Sequence, residues 1–105
     1  MSSIRIIKKL SYFEFKELLN KYSNNIIVNS HAYFRLSEMQ RNVYKDDSLI
    51  NVLSEEAPAL IGIQNNGNYA AFFTRKNGYL RIIFKMNLEN IEIVTFYITN
   101  TLPKI

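Results

Sequence analysis

The apolar residues of this chain change their spacing once, at Pro58, and that change constrains the fold more than any other feature. Beyond it, Ile, Phe, Tyr, Val and Thr are concentrated in four alternating runs, 59–64, 69–75, 79–86 and 91–99. Alternation is the period of a strand with two different faces. The runs are separated by Asn65-Asn66-Gly67, by Asn77-Gly78 and by the segment 87–90, compositions that favour tight turns. Strands joined this closely pair as an antiparallel meander. Asn77-Gly78 suits a type I′ turn, in which both central residues take positive φ.

Ahead of Pro58 the spacing is helical. Ser11 and Glu14 form a capping box before Phe15, Leu18, Leu19 and Tyr22, which predicts a helix over 12–22. Asn29-Ser30 offers the cap of a second helix over 31–42, with Ala32, Leu36, Met39 and Val43 along one stripe. Asp46-Asp47 opens a third, which continues through Leu49, Ile50, Val52 and Leu53 to Glu56, because carboxylates favour a helix N-terminus. The segment 4–9 has a β-type pattern with a basic exposed side, and 26–28 is a brief β-branched stretch. The fold class is therefore α+β: N-terminal helices packed on a four-stranded antiparallel β-meander, with 4–9 a candidate N-terminal strand to extend it. A chain of 105 residues forms one domain, 1–105.

Without cysteine there is no disulfide framework, thiol nucleophile or cysteine-based metal site, and with His31 the sole histidine neither metal nor cofactor is expected. No apolar run approaches the roughly 20 residues of a membrane span, so no membrane partner is expected. Charges lie within the first apolar stretch and no small-residue cleavage site follows it, which points to the cytoplasm. Thirteen Lys and Arg against nine Asp and Glu leave a net charge of +4, compatible with a polyanionic partner.

The second predicted helix carries His31, Arg35, Glu38 and Asn42 along one polar strip, at i, i+4, i+7 and i+11. A proton-transferring imidazole beside a phosphate-binding guanidinium is one reading of that strip, and a solvated helix face is the other. Arg81 stands in mid-strand, where a charge is less routine than at a loop tip. Arg41, Arg75 and Lys85 add further cations. With Asn77-Gly78 as the turn, Phe73 faces Ile82 and Ala71 faces Phe84, all four on the helix-covered face. With 87–90 as the next loop, Lys85 faces Glu92, Ile82 faces Thr95 and Leu80 faces Tyr97, which directs Thr95 and Tyr97 to the helical side as well. Seven Tyr and seven Phe could stack on bases, although most lie at core spacing.

Ser30-His31-Ala32-Tyr33-Phe34-Arg35 followed by Arg41, the Asn66-Gly67-Asn68-Tyr69 hairpin, Tyr79-Leu80-Arg81-Ile82-Ile83 and the final Ile93-Val94-Thr95-Phe96-Tyr97 together resemble the small RelE- and BrnT-like ribonuclease toxins. More broadly they resemble the barnase–EndoU–colicin–RelE group of metal-independent ribonucleases. The resemblance covers about 30–99. It implies an endoribonuclease of toxin type, which cleaves RNA through attack of the 2′-hydroxyl on the adjacent phosphate without a metal. On that likeness His31 transfers protons, Arg35 and Arg81 hold the phosphate, and Thr95 and Tyr97 donate hydrogen bonds or position the nucleotide. Arg41, Arg75 and Lys85 would bind RNA, and an antitoxin or immunity protein would cover the cleft. The N-terminal strand and first helix lie outside the pattern. The alternative is a non-catalytic viral or mobile-element module that binds nucleic acid or inhibits a host protein.

Overall fold

The computed structural model describes residues 4–21, 25–34 and 43–104. In chain order these form β1 (Ile6–Lys9), α1 (Tyr12–Lys21), β2 (Ile26–Val28), a 3-10 turn (Ser30–Tyr33), α2 (Asp46–Glu55), β3 (Leu60–Gln64), β4 (Tyr69–Arg75), β5 (Gly78–Met86) and β6 (Ile91–Thr99). The capping box works as its spacing predicts. Glu14 N–H donates to Ser11 Oγ and Ser11 N–H donates to the Glu14 carboxylate, both at 3.0 Å, which satisfies two of the backbone donors that a helix start leaves open. Phe15 and Leu19 of α1 and Leu49 and Leu53 of α2 are buried, so each helix offers one apolar side to the sheet.

Of the helix predicted over 31–42, the described part is the 3-10 turn. Asn29 caps it, its Oδ1 accepting from His31 N–H at 2.9 Å. The Tyr33 hydroxyl donates to Asp46, tying this turn to the first turn of α2. Burial and that carboxylate push the Tyr33 hydroxyl above its usual pKa. Arg35, Leu36, Glu38, Met39, Arg41 and Asn42 lie outside the described residues.

The α+β class holds, but the sheet has six strands, not four, in the order β1-β3-β4-β5-β6-β2. The predicted meander is its centre. β1 adds antiparallel to β3 at one edge, and β2 adds parallel to β6 at the other. Three residues without alternation carry too little pattern to reveal β2. The backbone supplies the stability: Asn29 N–H reaches the Ile93 carbonyl and Ile91 N–H the Asn25 carbonyl, each at 2.9 Å.

Two registers differ from the sequence reading. In the β4–β5 hairpin Arg75 faces Gly78, Phe73 faces Leu80 and Ala71 faces Ile82, so the turn residues are Lys76 and Asn77. No non-glycine residue among those described takes positive φ, which excludes a type I′ turn with Asn77 at its centre. The pairing is displaced by two positions in sum, so every side chain keeps its predicted face. Phe73, Ile82, Ala71 and Phe84 do share the helix-covered core. In the β5–β6 hairpin Lys85 faces Glu92 as expected, but a bulge follows: Phe84 faces Ile93 while Ile83 faces Thr95. One extra residue, Val94, reverses the parity of what comes after it. Phe96 turns to the helical side, and Thr95 and Tyr97 turn away from it.

Apolar side chains consequently occupy both faces. The helix-side cluster holds Phe15, Leu49, Leu53, Phe73, Phe84, Ile93 and Phe96. The opposite cluster holds Ile6, Leu60, Ala70, Phe72 and Ile83, with Tyr79, Val94, Tyr97 and Leu102 packed against it, and no helix residue among them. No helix among the described residues is long and apolar enough to cross a membrane. Gly62 permits the close approach of β1: a Cβ there would stand 2.5 Å from Ile6 Cγ2 and 2.7 Å from the Lys8 carbonyl oxygen. Gly62→Ala is expected to cost about 1–3 kcal/mol in urea unfolding, with the loss of amide-exchange protection concentrated in β1.

Candidate functional site

Strand pairing places Leu60, Phe72, Arg81 and Tyr97 in one row across the helix-free face of the sheet. Thr95 lies in the adjoining row, opposite Ile83. Within the first row the Arg81 guanidinium lies near two rings, its central carbon 5.0 Å from the Phe72 ring centroid and 5.6 Å from that of Tyr97. Both distances suit cation–π attraction. Nη2 donates to Gln64 Oε1 at 2.7 Å. Gln64 is almost fully buried and donates in turn to Asn66 Oδ1 at 3.1 Å, which fixes its amide.

Beyond these contacts, no described residue offsets the Arg81 charge. Its Nε is buried and has no acceptor, and among the described residues no carboxylate lies within ion-pair distance of it. A partly buried cation with a buried Nε, one neutral hydrogen bond and two rings has room in its shell for an anion. Gln64 and Phe72 were missed as its partners. The one available signal was Gln64 itself, a polar residue ending the apolar run Leu60-Ile61-Gly62-Ile63.

Two of the other predicted cations face carboxylates, one of them loosely. Arg75 makes a bidentate pair with Glu56 at 2.8 and 3.0 Å, joining the end of β4 to the residue that follows α2. Lys85 approaches Glu92 at 3.6 Å. Arg35 and Arg41 lie outside the described residues.

His31 stands apart from this group. It is exposed on the 3-10 turn and meets the Phe34 ring edge-on at 4.7 Å. The adjoining Ala32 and Tyr33 belong to the helix-side core, Tyr33 packing against Phe96. The structure thus brings Arg81, Thr95 and Tyr97 onto one face, while His31 stands on the turn that follows the edge strand β2. The reading that set Thr95 and Tyr97 on the helical side with His31 is corrected by the bulge at Val94. A groove of about 390 Å³ between α1 and the β3–β4 strands, lined by Leu10, Leu18, Ile63 and Tyr69, holds none of the predicted site residues. Among the described residues no three His, Asp or Glu side chains converge to hold a metal ion. Comparison with protein-family models, curated proteins and solved structures gives no match.

Glu92 anchors the rim of this face. Its carboxylate accepts from Asn29 Nδ2 at 2.8 Å and from Asn87 Nδ2 at 3.1 Å. Those bonds, Asn29 first, hold its pKa below the usual 4.5, with a smaller contribution from Lys85. A carboxylate with a depressed folded-state pKa contributes stability above its unfolded pKa and loses it as pH falls through the folded value. The thermal midpoint is therefore expected to drop between about pH 5 and pH 3, and Glu92→Gln to flatten that part of the profile. Calorimetry across the interval checks it.

Proposed function

We propose that the protein is a non-catalytic nucleic-acid-binding module, holding single-stranded RNA across the sheet face that carries Arg81 and Tyr97. The observation that carries this reading is the partly buried Arg81 charge with no carboxylate partner among the described residues. A phosphate oxygen is the anion such a guanidinium accommodates best, since its planar donors match the phosphate edge. Tyr97 is half-buried beside it, with a π-face on which a base can stack. Thr95 adds a hydroxyl and Lys85 a second cation on the same face, and the net charge of +4 favours approach of a polyanion.

The ribonuclease reading asks for a proton-transferring group within hydrogen-bond reach of the held phosphate. No hydrogen bond, ion pair or ring contact between described residues joins His31 to Arg81, and holding without cleavage asks only for the cation and rings already gathered on that face. The neutralising antitoxin belongs to the toxin reading and is needed only if cleavage occurs. A cytoplasmic site of action, where RNA is encountered, goes with the binding reading.

The test is fluorescence anisotropy with a labelled twelve-nucleotide oligouridine in EDTA. Two phosphate contacts, Arg81 and Lys85, predict about a sevenfold loss of affinity between 50 and 200 mM salt, from a log–log slope near −0.7 per contact. Arg81→Ala is expected to weaken binding about tenfold or more, and Arg81→Lys to restore little of it, because a point charge does not reproduce the planar fork. His31→Ala should bind as the wild type does, and the RNA should remain intact on a denaturing gel. Absence of binding, or indifference to salt, would sink the proposal. Cleavage abolished by His31→Ala would restore the ribonuclease.

A further inference from the structure

The sheet ends in β1, which pairs with β3 along one side and with no strand among the described residues along the other. Its inward bonds are identifiable: the Arg5 carbonyl accepts Asn65 N–H and Leu10 N–H donates to the Ile61 carbonyl, both at 2.8 Å. Strand alternation turns the N–H and C=O of Lys9 outward, where no described strand pairs with them. Edge strands usually carry devices against such pairing, and β1 has two of them, a bulge between Ile6 and Lys8 and a set of cations. What those devices do not explain is the apolar surface beside them. Ile4 is 59% exposed and Ile7 58%, and Phe13 in the first turn of α1 is 72% exposed.

Charge decides what can cover this edge. Arg5, Lys8 and Lys9 all lie within five residues and none forms an ion pair with a described residue. The nearby Glu14 carboxylate, held by the Ser11 N–H, offsets part of the Lys8 charge and leaves Arg5 and Lys9 without an ion pair to a described residue. A second copy of the chain pairing through β1 would set this cationic cluster against its own image, and like charges opposite one another destabilise a strand pair. A strand that alternates acidic and β-branched residues meets the same edge with attraction and covers the exposed isoleucines. β2, the opposite edge, offers only three residues and no charge within the strand.

We infer that β1 is the docking edge for an extended acidic segment of a partner protein, which adds to the sheet as a seventh strand. Main-chain hydrogen bonds to the free edge supply the affinity, and the cations with Ile4 and Ile7 select the acidic, apolar sequence. The site is separate from the RNA face, since neither Arg81 nor Tyr97 takes part.

The probe is an N-acetylated ten-residue peptide alternating Glu and Val, compared with its Lys-for-Glu counterpart by amide NMR titration. The acidic peptide is expected to shift the amides of β1 and protect that of Lys9, and the basic one to leave them unmoved. In Lys8→Glu/Lys9→Glu the acidic peptide should bind about tenfold more weakly and the basic peptide should gain affinity, since both changes are exposed and reverse the attraction. Lys9→Pro, which removes the outward N–H, should abolish binding, and the charge reversal decides the matter if that variant unfolds. Arg81→Ala should bind the acidic peptide normally, which keeps failure here distinct from failure of the RNA reading. Equal binding of both peptides, no binding, shifts centred on β2 or α1, or a dimer lost on charge reversal in β1 would each overturn the inference.

Discussion

The two central strands are apolar on both faces, and the rest of the molecule is arranged around that constraint. β4 sends Ala71 and Phe73 to one side and Ala70 and Phe72 to the other, all buried. β5 does the same with Leu80, Ile82 and Phe84 against Ile83. A sheet of this kind needs cover on both sides, because each large apolar side chain left wet forfeits about 1.5–3 kcal/mol. Among the described residues, α1 and α2 cover only one. On the second face the sheet uses what it has: the long Arg81 side chain laid over Phe72, the Tyr79 and Tyr97 rings, and Leu102 from beyond the last strand. The cation is there because a flexible aliphatic stem roofs an aromatic ring well, and its head must then be accommodated.

Much of this was legible from residue types alone. The capping box, the helix at Asp46, the strands after Pro58 and the Lys85–Glu92 pair all depend on interactions between residues close in sequence. The β4–β5 hairpin shows how an error can be harmless, since a displacement of two leaves faces unchanged. The β5–β6 hairpin shows the opposite case. Val94 is an ordinary β-branched residue in a β-branched run, nothing in its chemistry marks a bulge, and the bulge alone decides whether Tyr97 joins Arg81 or Tyr33. The partners of Arg81 were hidden because Gln64 lies seventeen residues away, on a strand that is not adjacent to β5.

The two faces and the edge therefore have different work. The helix side carries the larger core, with the Arg75–Glu56 pair at its margin. The helix-free side leaves one guanidinium short of an anion, and β1 leaves three cations and two isoleucines facing solvent. The two proposed ligands, a nucleic acid and a protein strand, call on different parts of this surface, so they would not compete for the same side chains.

The bracketing of the sheet by its own N-terminal segment has a consequence for synthesis. Both outermost strands, β1 and β2, come from the first 28 residues, and their partners lie far along the chain, Arg5 bonding Asn65 across 60 positions and Asn25 bonding Glu89 across 64. The hairpins between them are local and need little loop closure, so they form early. On the ribosome the order of emergence runs the other way: the edges leave the exit tunnel first, and β2 must wait until residues 91–99 have followed before it has anything to join. The segment that completes the domain is made before the strands it joins and is the last to find its place.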